Sequence, residues 1–306
     1  MAERNFLQIS DLSSDDYRSL FAVTSKLKLA AKNPANARRW LDGRSVAMIF
    51  EKPSNRTRVS FEVGIFQLGG HSVMLRSGEL QMGSRESVKD VASVLSRYVD
   101  AVVMRVLKHE SLEEFARYSS VPVLNALSDA SHPCQALSDF FTVIERKGSL
   151  DGLKFCYVGD GNNVCRSLVE LSSLFAVDFV VSSPGGYELD MASSEANFSL
   201  ESDVRRAVDG ADVIYTDVWC SMGQESERDK RLRDFNGYTV DAQLLKRAKV
   251  DVMFMHCLPG KWGEEASSEV AYSDNSVIFD QAENRLHAQK AILLYLLNPE
   301  AFRSLC

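Results

Sequence analysis

One polar loop in the chain, residues 51–58 with the sequence EKPSNRTR, carries the residue types that bind phosphate. It follows the apolar run 46–50 and precedes a helical pattern, so strand, loop and helix are expected in that order. Ser54 is a favoured N-cap. The first turn after it carries an amide, a guanidinium and a hydroxyl, from Asn55, Arg56 and Thr57. Together with free N–H groups at the positive end of a helix dipole, these groups favour phosphate. A capped helix without a ligand is the alternative.

Four further residues could meet the same anion. Arg105 ends an apolar strand, where a charge is costly unless an opposite charge meets it. His132 and Gln135 are three residues apart at the start of a helix, so both can reach one polar ligand. Arg285 opens the last helix, where a cation is unfavourable because it opposes the helix dipole. Its side chain is therefore expected to contact another group. A structural ion pair for Arg105 and a simple helix cap at His132 are the alternatives.

The second half of the chain offers groups that suit an amine. Asp217 and Ser221 lie four residues apart on a predicted loop, as a carboxylate and a hydroxyl. His256 and Cys257 resemble a metal-binding pair. Neighbours on a strand point to opposite faces, so no metal is expected there.

A second loop, residues 159–164 with the sequence GDGNNV, resembles a dinucleotide-binding motif. The third glycine of G-x-G-x-x-G is replaced by Val164, and Asn162 and Asn163 add side chains where a pyrophosphate needs close approach to the backbone. Paired asparagines fit a small polar ligand better, and a helix cap is the simple alternative.

The positions of these residues depend on predicted strands that alternate with helices. Two successive series of this kind predict parallel sheets covered by helices on both faces. Ligands of such sheets lie outside the carboxyl ends of the strands. All the polar clusters follow predicted strands, after residues 50, 104, 124, 158, 216 and 255. Towards the C-terminus the pattern predicts a helix at 201–208, a strand at 276–279 and a last helix from Gln281.

The expected fold class is α/β, with two doubly wound domains. Each is a parallel sheet flanked by helices, and a C-terminal helix packs back on the N-terminal domain. A length of 306 residues suits two domains, and the break at residues 148–152 supports a boundary near 130–150. We expect the first domain at residues 1–135, a linking helix at 136–149, the second domain at 150–284 and the returning helix at 285–306.

Composition excludes several classes of function. Apolar residues make up 45% of the chain, and no run approaches the ~20 apolar residues that a membrane span needs. A net charge of −7 argues against a nucleic-acid surface. The six cysteines form no C-x-x-C pair, so reduced thiols are expected. The first residues show no export signal, so a cytoplasmic location is expected.

Taken in order, the motifs closely resemble those of the aspartate/ornithine carbamoyltransferase family over nearly the whole chain. Residues 54–58 resemble its S-x-R-T-R motif and residues 132–135 its H-P-x-Q motif. Residues 217–222 are similar to the D-x-x-x-S-M of the ornithine-type members and residues 256–259 to their H-C-L-P, whereas aspartate-type members have H-P-L-P-R. The chain departs from the family pattern at Asn55 and at the G-K-W-G stretch of residues 260–263.

The resemblance implies transfer of a carbamoyl group from carbamoyl phosphate to the δ-amine of ornithine, without a cofactor or a metal. It implies a donor site formed by Ser54, Asn55, Arg56, Thr57, Gln81, Arg105, His132, Gln135, Cys257, Leu258 and Arg285. It implies an ornithine site formed by Asn163, Asp217, Ser221 and Met222. The implied catalytic residues are Arg105, His132, Asp217 and Cys257. Gln81 matches a position that reaches into a neighbouring subunit's site, so a homotrimer is expected.

Three alternatives remain at this point. A sister carbamoyltransferase would act on putrescine or an acylated ornithine, with no partner for a free α-amine. A nicotinamide-dependent dehydrogenase would use the loop at residues 159–164. A relative without catalytic activity would lack one of the expected ligand positions. Citrulline formation and citrulline phosphorolysis use the same site, so the sequence is consistent with either direction.

Overall fold

The computed structural model describes residues 5–32, 38–76, 80, 82–83, 85–191, 197–221 and 224–306. The chain divides into two compact units, one formed by Met1–Glu145 with Glu283–Cys306 and the other by Arg146–Ala282. Each unit contains one parallel sheet accompanied by helices, which confirms the predicted α/β class.

The sheet of the first unit has four parallel strands. They are β1 Ser45–Phe50, β2 His71–Arg76, β3 Ala101–Arg105 and β4 Val123–Leu127. Their order across the sheet is β2-β1-β3-β4. The helices of this part of the chain are α1 Ser14–Ala31, α2 Asn55–Gln67, α3 Val88–Leu95, α4 His109–Tyr118 and α5 Pro133–Lys147, after a short 3-10 helix at Ile9–Asp11.

Register aligns the carboxyl ends of three of these strands. Phe50 at the end of β1 pairs with Arg105 at the end of β3, and Arg105 pairs with Leu127 at the end of β4. The strands β1 and β3 are buried along almost their whole length because their side chains are nearly all apolar. The loop after β1, Arg105 and the segment before α5 therefore leave the sheet at the same edge, as the strand pattern predicts.

The sheet of the second unit has five parallel strands. They are β5 Lys154–Val158, β6 Asp178–Ser182, β7 Ser199–Leu200, β8 Val213–Thr216 and β9 Met253–His256, in the order β7-β6-β5-β8-β9. Val158, Thr216 and His256, which end β5, β8 and β9, are in register. The short helices here are α6 Asn163–Ser172, α7 Val204–Val208, α8 Arg228–Asp234, α9 Ala242–Leu245 and α10 Ser268–Ala271.

The last two helices are α11 Ile278–Leu297 and α12 Pro299–Leu305. In the first unit α12 packs against α1. The hydroxyl of Tyr295 donates to the carboxylate of Asp16 at 2.8 Å, and Lys26 Nζ donates to the carbonyl of Cys306 at 3.1 Å. These contacts confirm that the C-terminal helices return to the N-terminal part of the chain.

Three predicted elements are wrong in extent or type. The predicted strand at residues 276–279 is a single bridge from Ser276 to Phe254, and α11 begins at Ile278 rather than at Gln281. The bridge stops there because the N–H of Gln281 already bonds to the carbonyl of Val277 in a helical turn. The predicted helix at residues 201–208 starts only at Val204, since Asp203 accepts the capping hydrogen bond.

Among the described residues, none of the helices combines the length and the apolar character required to cross a membrane.

Candidate active site

The polar loop after β1 leads into α2 as predicted, but Ser54 does not cap the helix. Ser54 stands at the N-cap position with φ −147° and ψ 118°, and its side chain makes no capping hydrogen bond. Capping by Ser54 was therefore a wrong prediction. Asn55 is exposed and Arg56 is half-buried, whereas Thr57 is only 1% exposed. The hydroxyl of Thr57 thus points into the protein at the first turn of α2.

Thr57 meets a buried cation from the far end of the chain. Arg285 is 3% exposed, and its Nη2 donates to Thr57 Oγ1 at 2.7 Å. The prediction that Arg285 contacts another group is therefore confirmed, but its premise was wrong: α11 begins at Ile278, so Arg285 lies in the interior of the helix and not in its first turn. The contact brings a guanidinium to the loop that the sequence suggested as a phosphate site.

His132 lies near two guanidinium groups, those of Arg105 and Arg285. Its side chain is 4% exposed, and Arg105 at the end of β3 is 8% exposed. Burial lowers the pKa of His132 well below its usual range, and the positive charges of Arg285 and Arg105 add to this effect. His132 is therefore a neutral imidazole at physiological pH, which can donate one N–H to a ligand. Buried positive charge of this kind favours a bound anion.

The buried polar atoms that have no hydrogen-bond partner among the described residues include Nε of Arg56 and Oε1 of Gln135. Gln135 lies in the first turn of α5, where its N–H bonds to the carbonyl of His132 at 3.0 Å. One atom is a donor and the other an acceptor, so the site suits a ligand that both accepts and donates hydrogen bonds.

Cys134, between His132 and Gln135, has a structural role. Its side chain is 1% exposed and its Sγ bonds to the carbonyl of Asn125 at 3.3 Å. Burial raises the pKa of Cys134 to about 12, so the thiol stays protonated and inert.

In the second unit two side chains bond to the carboxylate of Asp217, which follows β8. Asp217 is 6% exposed, and its Oδ1 accepts a hydrogen bond from Cys257 Sγ at 3.1 Å. The Nδ2 of Asn162 donates to Asp217 Oδ2 at 3.0 Å. The carboxylate is therefore held in one orientation by a thiol and an amide, close to the carboxyl end of the sheet.

Asn162 is a residue that the sequence reasoning left out of the site. Its Oδ1 accepts from the N–H groups of Val164 and Cys165 and so caps α6. Because the oxygen is committed to the cap, the amide nitrogen faces Asp217. Two consecutive asparagines before a helix were the available signal, and only Asn163, the first residue of α6, was assigned.

The segment after β9 is held by a buried pair, His256 and Glu265, both 0% exposed. The Nδ1 of His256 accepts from the N–H of Leu258 at 2.8 Å, so its proton is on Nε2, which lies 3.2 Å from Glu265 Oε1. Leu258 has φ 59°, in the left-handed region that non-glycine residues rarely adopt, and it precedes a cis proline, Pro259. Glu265 was not predicted, because no motif marks it.

Asp217, His256 and Cys257 bring their potential metal-binding atoms within 4.8 Å of one another. The expectation that His256 and Cys257 face opposite sides is wrong, because Cys257 lies just past the end of β9. Both ring nitrogens of His256 are engaged by Leu258 and Glu265, and the thiol of Cys257 bonds to Asp217. Hydrogen bonds therefore account for these donor atoms without a metal ion.

The loop at residues 159–164 uses its glycines for chain packing. A Cβ on Gly161 would lie 2.4 Å from the backbone nitrogen of Leu189, and the N–H of Gly161 bonds to the carbonyl of Tyr187 at 2.9 Å. The close backbone approach that a dinucleotide would require is taken by this segment of the chain itself. This packing argues against the nicotinamide alternative.

The remaining predicted residues are placed as follows. Ser221 is half-buried, and its N–H bonds to Gln224 Oε1 at 3.0 Å. Asn163 and Leu258 are half-buried too. Gln81 and Met222 lie outside the described residues.

Both units match models of known protein domains. Residues 4–145 match the carbamoyl-P binding domain of aspartate/ornithine carbamoyltransferase, and residues 151–296 match its Asp/Orn binding domain. The ornithine carbamoyltransferase of Thermococcus kodakarensis is 47% identical over 307 aligned residues, which cover 97% of each chain.

Solved structures of ornithine carbamoyltransferases have a similar fold. The ornithine carbamoyltransferase from Pyrococcus furiosus superposes with a TM-score of 0.92 at 47% identity, covering 97% of each chain. That from Thermus thermophilus superposes with a TM-score of 0.90 at 42% identity, covering 97% of this chain and 100% of its own.

Proposed function

The chain belongs to the aspartate/ornithine carbamoyltransferase family, and we propose that it transfers the carbamoyl group of carbamoyl phosphate to the δ-amine of L-ornithine. The products are L-citrulline and phosphate, so the reaction belongs to arginine metabolism. The observation that carries the choice of ornithine is the hydrogen bond from Cys257 Sγ to Asp217 Oδ1 at 3.1 Å. It joins the H-C-L-P and D-x-x-x-S-M segments that are typical of the ornithine-type members.

The first unit supplies the groups that bind the donor. Carbamoyl phosphate is a small, multiply charged anion, and the guanidiniums of Arg56, Arg105 and Arg285 offset its charge and that of the departing phosphate. Uncapped N–H groups at the start of α2 and the nearby polar side chains complete this site. The proposed donor-binding residues of this unit are Ser54, Asn55, Arg56, Thr57, Gln81, Arg105, His132, Gln135 and Arg285.

Three of these groups act on the carbonyl oxygen of the donor. As the amine adds, this oxygen gains negative charge in a tetrahedral intermediate, and Thr57, Arg105 and His132 donate hydrogen bonds to it. His132 is suited to the role because burial and the neighbouring cations keep the imidazole neutral, with an N–H to donate. Such donors stabilise a developing oxyanion by about 3–4 kcal/mol each.

The second unit supplies the groups that bind the acceptor. We assign ornithine to Asn163, Asp217, Ser221 and Met222. The δ-amine has an intrinsic pKa near the ~10.4 of lysine, so forming the neutral amine near pH 7.5 costs about 4 kcal/mol. Asp217 and Cys257 orient the amine and help to take its proton. A new C–N bond forms and the C–O bond to phosphate breaks, without a covalent enzyme intermediate.

The protein is proposed to act in the cytoplasm as a homotrimer, in which Gln81 reaches the donor site of a neighbouring subunit. An apolar stripe on α2 supports self-association. Val59, Val63 and Phe66 are spaced along one face of α2, and Phe66 is 75% exposed.

Subunit mixing tests the shared site. A Gln81→Ala variant and an Arg56→Ala variant, each with impaired activity, are mixed under conditions that exchange subunits. Hybrid trimers contain sites with both native residues, so activity should recover, and sedimentation should give a trimer. A monomer, or no recovery in confirmed hybrids, contradicts shared sites.

The competing activity is carbamoyl transfer to putrescine or to an acylated ornithine. N-acetylornithine lacks the free α-amine of ornithine, for which Asp217 and Ser221 offer a partner, whereas putrescine keeps an amine at that position and lacks the α-carboxylate. Initial rates with ornithine, putrescine and N-acetylornithine at matched concentrations decide the question. We expect ornithine to have by far the highest kcat/KM, and a preference for either other amine overturns the assignment.

A further inference from the structure

Gln135 and Asp139 form a buried pair on α5, one helical turn apart. Gln135 is 1% exposed and Asp139 is 0% exposed. The Nε2 of Gln135 donates a hydrogen bond to Asp139 Oδ1 at 2.8 Å. The spacing of four residues places both side chains on the same face of the helix.

This bond fixes which way the amide of Gln135 points. A carboxylate only accepts hydrogen bonds, so the group of Gln135 that faces Asp139 has to be the NH₂ group. The carbonyl oxygen Oε1 then faces away from Asp139. It is buried and has no hydrogen-bond partner among the residues that the structure describes. A buried acceptor of this kind is unfavourable until a donor meets it.

We propose that Asp139 is a positioning residue that makes the donor site selective for a carbamoyl group over an acyl group, by holding Gln135 Oε1 towards the ligand. The inference rests on the proposed function, in which Gln135 contacts carbamoyl phosphate. Carbamoyl phosphate and acetyl phosphate share a phosphate and a carbonyl oxygen, but the first carries an NH₂ group where the second carries a methyl group. The oriented oxygen accepts a hydrogen bond from the NH₂ group and faces the methyl group without a partner.

The Gln135–Asp139 pair explains a selectivity for carbamoyl phosphate over acetyl phosphate that the guanidinium groups alone do not supply. Arg56, Arg105 and Arg285 respond to phosphate and carbonyl oxygen, which both ligands present. One hydrogen bond made to the NH₂ group and left unmade with the methyl group corresponds to roughly 10- to 100-fold in affinity. If the amide could rotate, its NH₂ group would face the NH₂ group of the ligand, and the preference would fall.

Asp139→Asn is the variant that tests the proposal, because an asparagine permits either orientation of the Gln135 amide. The measured quantity is the ratio of the inhibition constant of acetyl phosphate to the dissociation constant of carbamoyl phosphate. We expect this ratio to fall about tenfold in the variant. A general disturbance of the site weakens both ligands together and leaves the ratio unchanged, and that result overturns the proposal.

Thr142→Val is the matched control on the same helix. Thr142 is 0% exposed, and its Oγ1 donates to the carbonyl of Ser138 at 2.8 Å and accepts from Asn284 Nδ2 at 3.0 Å. The substitution removes a buried polar group of similar depth without touching the amide of Gln135. We expect lower stability and an unchanged ratio.

A double variant keeps the test decisive if Asp139→Asn folds poorly. In Gln135→Glu with Asp139→Asn the roles are exchanged, since the asparagine donates to the glutamate and the second carboxylate oxygen faces the ligand. We expect the ratio to return towards that of the wild type, and a ratio no higher than that of Asp139→Asn contradicts the proposal. If the wild type synthesises citrulline and Asp139→Asn leaves the ratio unchanged, only this inference is contradicted. If the wild type does not synthesise citrulline, the proposed function is contradicted.

Discussion

Arg285 Nη2 donates a hydrogen bond to Thr57 Oγ1 at 2.7 Å, although the two residues are 228 positions apart in the chain. Both side chains are buried. A hydroxyl that accepts from a guanidinium still has its own proton to donate. The contact therefore orients Thr57 as a hydrogen-bond donor and ties the first turn of α2 to α11 in the first unit.

Removing this hydroxyl should slow the reaction without unfolding the protein. Thr57→Val keeps the shape of the side chain, but loses the acceptor for Arg285 and the donor for the carbonyl oxygen. We expect kcat/KM for carbamoyl phosphate to fall about 100-fold, the effect of losing one oxyanion donor. Thr57→Ser is the matched control and should keep most of the activity. Equal rates of citrulline formation in the two variants would rule out the role of the hydroxyl.

Substitution of Asn162 should weaken the binding of ornithine and leave the binding of carbamoyl phosphate unchanged. Asn162→Ser retains an N-cap oxygen for α6 but removes the amide that donates to Asp217. We expect the KM for ornithine to rise about tenfold, since one hydrogen bond to a charged group is lost. Asn162→Ala should show the same kinetic change and in addition lose about 1 kcal/mol of stability through the cap. Unaltered ornithine kinetics in both variants would mean that Asp217 does not depend on Asn162.

Gly260 has a specific reason to be glycine in this chain. A Cβ at this position would lie 2.1 Å from the ring of Trp262, which packs edge-on against His256 with ring centroids 5.4 Å apart. We expect Gly260→Ala to lower the free energy of unfolding by about 1–3 kcal/mol, as overpacking does. Urea denaturation measures the change. Adding Trp262→Leu should relieve the clash, so a double variant that is less stable than expected from the two single changes contradicts this explanation.

Buried histidines predict a loss of stability in acid. Burial lowers the pKa of His287 to about 3, and the charges of Lys290 and Lys28 add to the effect. His287 is neutral in the folded protein but binds a proton near pH 6.5 when unfolded. Its contribution is therefore complete above about pH 6.5 and is lost as the pH falls towards 3, by about 1.4 kcal/mol per pH unit.

His287→Gln isolates this contribution from the titration of the carboxylates. The free energy of unfolding, measured in urea from pH 4 to pH 7, should fall less steeply for the variant than for the wild type below pH 6.5. Parallel profiles would show that His287 titrates alike in the folded and unfolded protein.

The strand ends could be predicted from sequence because a parallel sheet brings its carboxyl ends to one edge. Arg105 pairs in register with Phe50, directly before the polar loop, so both were expected to lie together. The supporting side chains could not be predicted. Asp139 and Glu265 act through contacts with side chains one turn away or more distant in sequence, and no residue pattern marks them. The paired asparagines marked Asn162 as a polar position, but they did not reveal its contact with Asp217. The strand at residues 276–279 was overestimated because a short apolar run suits either a strand or the start of a buried helix.

The most direct test of the proposed function follows the carbamoyl carbon. The wild-type protein is incubated with ¹³C-labelled carbamoyl phosphate and ornithine, and ¹³C-citrulline and phosphate are measured together by NMR. The wild type should form both in equal amounts. Arg56→Ala should keep its fold but lose several kcal/mol of donor binding. Arg58, the second arginine of the S-x-R-T-R motif, is not among the proposed donor-binding residues, so Arg58→Ala should bind the donor as the wild type does. No labelled citrulline from the wild type, or full donor affinity in Arg56→Ala, would contradict the account.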